Sequence, residues 1–283
     1  MKNALTCLVL LTLLCAPSAH AAGPLYYDKA AIDSDTTWSG TVVLRGQNTV
    51  KKGATLTIEP GTVVKFVWID DDGDNIGDGE LNVEGRIIAR GTKDNNILFT
   101  SGQENPKVKD WTFLMISVNK DSLVEYCTFE YAFTGVQVHY STATIRNNIF
   151  RNNFEGVRFS TTDVMIANNY FTGNTYGIRY ESRGSKTTVT KNLFKGNEYA
   201  FFPVQKCSST VKIFGNDILD CERYYVNMGY NQREELDYTN NWWGTTDPGE
   251  IASGMFDAGK DETLGRVVFE PFLAGPVPGC GVE

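Results

Sequence analysis

Two stretches of the chain repeat one frame: IRNNIFRNNFEGVRF at residues 145–159 and IANNYFTGNTYGIRY at residues 166–180. Isoleucine, asparagine, phenylalanine, a second asparagine and glycine return at the same places in both. Weaker copies lie on either side, and the first asparagine returns at 148, 169, 192, 216 and 241, in steps of 21, 23, 24 and 25 residues. A repeat of this length indicates one turn of a solenoid, which buries its apolar face only by stacking on its neighbours.

Each copy contains three short apolar segments instead of one long amphipathic stretch. In the second copy they lie at 164–166, 170–171 and 178–180, separated by Asn, Gly, Thr and Ser. Their β-branched and aromatic residues favour short strands joined by turns. Three strands per repeat predict an all-β fold, a parallel β-helix with coils stacked about 4.8 Å apart. A leucine-rich solenoid has a similar period, but the leucine frame and the helical segment of that fold are missing.

The recurring residues have physical reasons to recur. Asparagine tolerates left-handed backbone angles at a bend, and its inward amide can bond the asparagines one coil above and below. Glycine before the third strand allows a tight bend. The frame also predicts that Phe150, Phe171 and Phe194 form one interior column.

Three further stretches carry a family resemblance: GATLTIEPGTVVKF at 53–66, YCTFEYA at 126–132 and NNWWGTTD at 240–247. Together with the repeat, they resemble secreted bacterial repeat proteins of the pectate lyase-like superfamily, over about residues 38–273. The resemblance implies a right-handed parallel β-helix with a groove along one sheet. It is not specific for an activity, because this architecture hosts lyases, hydrolases, tail proteins and binding proteins.

The sequence divides into four parts. Residues 1–21 have the charge, apolar centre and small terminal residues of a signal peptide. A lipoprotein anchor at Cys15 is the alternative, although Leu14 stands where a small residue is needed. An N-terminal cap at 22–37, the parallel β-helix at 38–244 and a C-terminal cap with a loose tail at 245–283 are expected to follow.

Composition restricts the location and the partners. The leader predicts an extracytoplasmic protein, whether secreted, periplasmic or on the cell surface, and no later segment is apolar enough to span a membrane. The net charge of −8 argues against nucleic acid as a partner. It also gives no overall attraction to acidic polysaccharides, so such binding requires a local basic patch. We expect a monomer.

Four cysteines follow the leader: Cys127, Cys207, Cys221 and Cys280. In an oxidising compartment they allow three pairings, which the sequence does not distinguish. Cys207 with Cys221 is the first candidate, because these two lie closest in the chain. Cys127 has an alternative role as a small core residue in the first asparagine position.

An acidic segment, DDDGDNIGDGE at residues 70–80, is the clearest chemical signal. Closely spaced carboxylates with glycines between them can surround a hard cation, so the segment predicts a structural Ca²⁺ site. The expected ligands are Asp70, Asp72, Asp74, Asp78 and Glu80. The spacing departs from the EF-hand pattern, and a solvated acidic turn is the alternative.

The family resemblance places a groove on the sheet formed by the third strand of each repeat. Alternation along these strands leaves six polar side chains outside: Gln137, His139, Arg158, Ser160, Arg179 and Glu181. Arg158 and Arg179 are expected to stack one coil apart, as a pair for a carboxylate or sulfate on a sugar. Because two arginines repel, an anion or Glu181 is expected beside them. An ordinary solvated sheet face is the alternative.

These features predict a non-catalytic protein that binds a polysaccharide or a cell-envelope glycan, or that is a structural component of the envelope. The alternative is a polysaccharide lyase or glycoside hydrolase acting on an acidic polysaccharide. A hydrolase needs two paired carboxylates. The nearest acids, Glu155, Asp163 and Glu181, fall in different phases of the repeat, and His139 is a lone candidate base.

Overall fold

The computed structural model describes residues 23–283, so the signal peptide predicted at residues 1–21 lies outside the described residues. The chain winds through three parallel sheets, here called A, B and C, and visits them in that order in each coil. Each strand pairs in parallel with the equivalent strand of the next coil. The predicted right-handed parallel β-helix is confirmed.

The strands have the following bounds. Sheet A contains nine strands: Leu25–Asp28, Thr41–Arg45, Val63–Phe66, Ile97–Ser101, Cys127–Glu130, Ile149–Arg151, Tyr170–Thr172, Leu193–Lys195 and Asp217–Leu219. Sheet B contains ten: Ala31–Ile32, Gln47–Val50, Glu80–Val83, Trp111–Ser117, Ala132–His139, Glu155–Ser160, Tyr176–Glu181, Tyr199–Pro203, Tyr224–Asn227 and Met255–Phe256. Sheet C contains eight: Thr36–Trp38, Thr55–Ile58, Arg86–Arg90, Ser122–Glu125, Thr142–Arg146, Asp163–Ala167, Thr188–Thr190 and Lys212–Ile213.

The C-terminal segment closes the stack. It contains the short helix Pro248–Ser253 and the paired strands Leu236–Asp237 and Val267–Val268. Asp247 caps the helix by accepting hydrogen bonds from the Gly249 and Glu250 amides. No helix within residues 23–283 is long and apolar enough to cross a bilayer.

The interior holds a continuous column of phenylalanine rings. Phe99, Phe129, Phe150, Phe171 and Phe194 stack in order, with successive ring centroids 4.6, 5.1, 4.9 and 4.6 Å apart. All five side chains are buried. The centroid separations match the spacing between paired strands, as expected when equivalent residues of successive coils lie directly over one another. The predicted column is confirmed.

The asparagine ladder is also present, at the corner between sheets C and A. The side-chain oxygen of Asn169 accepts from the backbone N–H of Asn148 at 3.0 Å and from its side-chain NH₂ at 2.9 Å. The same pattern continues through Asn192, Asn216 and Asn241. Cys127 occupies the position before Asn148, where its sulfur contacts the buried carbonyls of Ala89 and Glu125. Its predicted role as a core residue in the asparagine position is confirmed.

Two details of the repeat differ from the sequence-based expectation. The left-handed backbone angle belongs to the residue before each ladder asparagine, for example Asn147 at φ 56° and Asn168 at φ 55°. The glycine before the third strand does not serve a tight bend. A Cβ on Gly156 would lie 2.6 Å from the Gly177 carbonyl and 2.9 Å from the Phe171 ring. This glycine therefore allows the sheet to approach the phenylalanine column.

Both ends depart from the expected boundaries. Residues 25–38 supply one strand to each sheet and so form the first coil, whereas residues 22–37 were expected to form a cap. The tail, expected to be loose, runs back along the corner between sheets C and A. There the Gly279 carbonyl accepts from Asn168 at 2.8 Å, and the Gly281 N–H donates to the Lys191 carbonyl at 2.9 Å.

The proposed disulfide between Cys207 and Cys221 is wrong, because the four cysteines within the described part of the chain are all free. The two residues lie at different corners of the coil. Cys207 follows a sheet B strand, and its backbone N–H donates to the side-chain oxygen of Gln232, whereas Cys221 follows a sheet A strand. Proximity in sequence does not bring two corners of a coil together.

Candidate functional site

The six predicted polar residues lie together on the outer face of sheet B. Gln137, Arg158 and Arg179 are register partners on three successive strands. His139, Ser160 and Glu181 form the neighbouring column, two residues further along the same strands. All six line one depression of about 340 Å³. The side chains that alternate with them point inward and are buried as predicted: Val157, Phe159, Ile178 and Tyr180.

Arg179 is held by a carboxylate that sequence reasoning did not place on this face. Its Nη1 lies 2.5 Å from Oε1 of Glu155, which has no exposed surface and also accepts from the Thr134 hydroxyl at 2.7 Å. The expected partner, Glu181, instead pairs with Arg183. Glu155 is the first residue of its strand, at the corner between sheets A and B, where the alternation of the strand does not apply. Its column mate Tyr176 also stands at the start of a strand.

Arg158 differs from Arg179 although the two are register partners. In the described part of the chain, the guanidinium of Arg158 has neither a carboxylate within salt-bridge distance nor a hydrogen-bond partner. Burial lowers the pKa of Arg158, Glu155 opposes this shift, and Arg179 adds to it. Arg158 is therefore a partly desolvated cation with unused donors that face the depression.

A hydrogen-bonded chain lies beside Arg158. His139 Nδ1 is 2.7 Å from Ser160 Oγ, and His139 Nε2 is 2.7 Å from the Gln137 side-chain amide. Burial lowers the pKa of His139, Arg158 and Arg183 lower it further, and Glu181 opposes them. The imidazole is accordingly neutral at pH 7. The three side chains form an uncharged set of donors and acceptors on the floor of the depression.

A larger cleft of about 750 Å³ continues along sheet B towards the N-terminal coils. It shares Gln137 and Arg158 with the depression, so the two form one groove along the helix axis. Phe113 and Phe133 lie along its floor. Its N-terminal part is lined by Lys29, Lys51, Asp71, Asp72, Asp74, Asp78 and Glu80. The groove is therefore acidic near the first coils and basic around Arg158.

Aromatic side chains flank the arginine column. Phe133 stacks on Phe154 at 5.0 Å, and Tyr176 stacks on Tyr199 at 5.1 Å and on Phe202 at 4.9 Å. Phe133 and Phe154 share one position of the repeat, Tyr176 and Tyr199 share the next, and Phe202 is the register partner of Arg179. Because stacked rings cover one another's faces, this wall offers ring edges, and not open ring faces, to a ligand.

The predicted calcium ligands are only partly brought together. Carboxylate oxygens of Asp70, Asp72 and Asp74 lie within 4.8 Å of one another, so these three residues fit a hard oxygen-binding cation. Asp78 and Glu80 do not belong to this cluster. The Asp78 carboxylate accepts the backbone N–H of Asp71 at 2.8 Å.

Glu80 is engaged elsewhere. Its carboxylate accepts from the Asn82 amide at 2.9 Å. Burial raises the pKa of Glu80, which opposes its use as an anionic ligand. Asp78 and Glu80 therefore lie outside the group of carboxylates that could share one cation, whereas Asp70, Asp72 and Asp74 remain candidate ligands.

The three acids considered for hydrolysis do not form a pair. Glu155 and Glu181 lie on sheet B, each bound to an arginine. Asp163 begins a strand of sheet C and is exposed there. Among the described residues around Arg158, these three acids therefore do not supply the two free, paired carboxylates that glycoside hydrolysis requires.

Two family descriptions match the chain. One, for a right-handed β-helix region, matches residues 114–243. The other, for a pectate-lyase-like β-helix domain, matches residues 30–126. No curated protein and no solved structure matches. The two matched regions and the three parallel sheets describe the same architecture. The chain therefore has the right-handed parallel β-helix fold, with a right-handed β-helix region at residues 114–243 and similarity to pectate-lyase-like β-helix domains at residues 30–126.

Proposed function

We propose that the outer face of sheet B binds an acidic glycan, laid along the helix axis with one of its carboxylates or sulfates on Arg158. The observation that carries this proposal is the unpaired guanidinium of Arg158 within the described chain, beside arginines that already have partners. A guanidinium presents five N–H donors in a fork that matches a carboxylate or sulfate. Partial burial removes water from the guanidinium, which strengthens its attraction for an anion.

Because the other arginines are paired with carboxylates, the net positive charge of the site is small, and this limits the charge density of the ligand that it can bind. Glu155 neutralises Arg179, and Glu181 neutralises Arg183. The site therefore carries close to one net positive charge around Arg158, while the overall charge of the chain is −8. This arrangement favours a chain with spaced acidic groups over a dense polyanion, which the acidic N-terminal part of the groove would repel.

The neighbouring polar side chains suit a polyhydroxylated ligand. Gln137, His139 and Ser160 provide uncharged donors and acceptors next to Arg158. Sheet B has ten strands, so its face extends roughly 40 Å along the axis. A rigid face of this length can contact several sugar units without the entropy cost of ordering its backbone.

The placement of the carboxylates supports binding over cleavage of the polymer. Glu155 is fully buried under Arg179, and Glu181 is bound to Arg183. We therefore favour a non-catalytic role towards the polymer backbone over a lyase or hydrolase.

On the basis of the leader-like sequence at residues 1–21, we propose that the protein acts outside the cytoplasm. A Ca²⁺ ion on Asp70, Asp72 and Asp74 would have a structural role in the loop at the edge of the groove.

Isothermal titration with oligogalacturonates tests the proposal. Wild type should bind acidic oligosaccharides and not neutral ones of the same length, and Arg158→Gln should weaken binding at least about tenfold, the equivalent of about 1.4 kcal/mol. Arg86→Gln, on the exposed face of sheet C, is the control that removes the same charge elsewhere. Equal affinity of Arg158→Gln and wild type would refute this binding site.

A further inference from the structure

We propose that Ser160 and His139 form an acyl-transfer pair that removes ester-linked acyl groups from the glycan bound on sheet B. The proposal rests on the glycan-binding function above and adds a reaction to it. The reaction is hydrolysis of an ester on a sugar hydroxyl, and the glycan chain itself is left intact. Ser160 is the nucleophile, His139 is the base, and Gln137 orients the imidazole.

The geometry meets the first requirement of such a pair. Ser160 Oγ lies 2.7 Å from His139 Nδ1, within the range for a nucleophile and its base. The two residues are register partners on adjacent strands, so the sheet fixes their separation. Both line the depression of about 340 Å³ next to Arg158, so a bound glycan would lie directly over them.

Gln137 supplies the third member. Its amide nitrogen lies 2.7 Å from His139 Nε2, and Gln137 is 8% exposed. A half-turn of the amide places its oxygen at Nε2 instead, so that Nε2 carries the ring proton and Nδ1 is free to accept the serine proton. The depressed pKa of His139 keeps the ring neutral at pH 7, as a base requires.

Charge that develops on the carbonyl oxygen has, among the described residues that line the depression, one arginine without a carboxylate partner beside it. The strand N–H groups around Ser160 are engaged in the sheet ladder, so they do not form an oxyanion hole. Arg158 lies two residues before Ser160 on the same face, about 6.6 Å away along the strand. Its five donors can bind a sugar carboxylate and still face an adjacent oxyanion.

The reaction proceeds in two balanced steps. Ser160 Oγ attacks the ester carbonyl carbon while its proton passes to His139 Nδ1. The bond between the carbonyl carbon and the sugar oxygen breaks, and that oxygen leaves with the proton from the imidazolium. Water then attacks the acyl-serine, again giving its proton to His139. This second step releases the carboxylic acid and restores the serine hydroxyl.

Two readouts test the pair. The first is acetate release from acetylated oligogalacturonate, and the second is covalent labelling by a fluorophosphonate probe, with the modified residue identified by mass spectrometry. We expect acetate release and labelling on Ser160. Ser160→Ala should lower release at least about 100-fold, the lower range for loss of such a group. Ser117→Ala, on the same face one strand before His139, is the matched control and should leave release unchanged.

The results separate this proposal from the binding proposal. Binding of the oligosaccharide by wild type without acetate release would refute the acyl-transfer pair and leave glycan binding intact. Unchanged release in Ser160→Ala would also refute it. Because the probe reacts independently of glycan binding, an unlabelled Ser160 would refute the pair even if the oligosaccharide did not bind.

Discussion

Arg158 and Arg179 are register partners on adjacent strands of sheet B, yet only Arg179 is bound to a carboxylate in the described part of the chain. Glu155 lies beneath Arg179 and is fully buried. This difference gives the two arginines separate roles. Arg179 compensates a buried negative charge and so supports the fold, whereas the donors of Arg158 are available to a ligand.

The first prediction concerns the stability of this pair. Arg179→Ala would leave the buried Glu155 carboxylate without its cation, which should lower the free energy of unfolding by about 3 to 5 kcal/mol. Arg183→Ala is the matched control, because it breaks the more exposed pair with Glu181 and should cost about 1 kcal/mol or less. Urea denaturation followed by circular dichroism measures both. Similar losses in the two variants would contradict the assigned role of Arg179.

The second prediction concerns the asparagine ladder. Asn169→Ala removes the acceptor for two buried Asn148 donors and the donors to Ile145 and Asn192. Each buried polar group left unpaired costs about 1 to 3 kcal/mol, so we expect a loss of at least about 3 kcal/mol.

The neighbouring residue provides the control for the ladder. Asn168→Gly places glycine at a residue with φ 55°, which glycine adopts readily, and removes one exposed hydrogen bond to the Gly279 carbonyl, so it should change stability by about 1 kcal/mol or less. The thermal unfolding midpoints of the two variants should therefore differ clearly. A small effect of Asn169→Ala would show that the ladder contributes little.

The sequence predicts the fold well because each coil repeats the same physical requirement. The ladder asparagines and the stacked phenylalanines must recur once per coil, so their spacing is visible in the chain. The pairing of Glu155 with Arg179 does not recur in this way, because the register partners of Glu155 are Thr134 and Tyr176. Glu155 was therefore missed as the partner of Arg179, because alternation gives the phase of a residue within a strand and not at its start.

Other features depend on positions in space that neither spacing nor composition fixes. Cys207 and Cys221 are close in sequence but lie at different corners of the coil. Asp78 and Glu80 share the acidic segment with Asp70, but each bonds to a different neighbour. The side chains on the face of sheet B were predicted correctly because they follow strict alternation, although the bond between His139 and Ser160 was not foreseen.

The third prediction concerns pH. Burial lowers the pKa of His139 in the folded state below its ordinary value of about 6.5. The unfolded chain therefore binds this proton more readily, so stability is complete above about pH 6.5 and is lost as the pH falls through the folded pKa. His139 is the only histidine after residue 20, so His139→Gln should reduce this loss. Urea midpoints between about pH 5 and pH 8 test it, and equal slopes for both proteins would contradict it.

The fourth prediction concerns calcium. If the cluster of Asp70, Asp72 and Asp74 binds Ca²⁺ with the affinity of an extracellular site, about 10 mM Ca²⁺ should stabilise the fold by about 1 to 3 kcal/mol. A chelator should reverse the shift in the unfolding midpoint. Asp72→Asn with Asp74→Asn should abolish it, whereas Asp71→Asn, outside the cluster, should retain it. Identical midpoints with and without Ca²⁺ would reject the site.

The position of an acidic oligosaccharide in a crystal structure of its complex with this protein tests the central claim most directly. The account predicts that a sugar carboxylate lies about 2.7 to 2.9 Å from the Arg158 guanidinium, with Glu155 still bound to Arg179. An oligosaccharide on another face, or a carboxylate that takes Arg179 from Glu155 and leaves Arg158 without a partner, would contradict it.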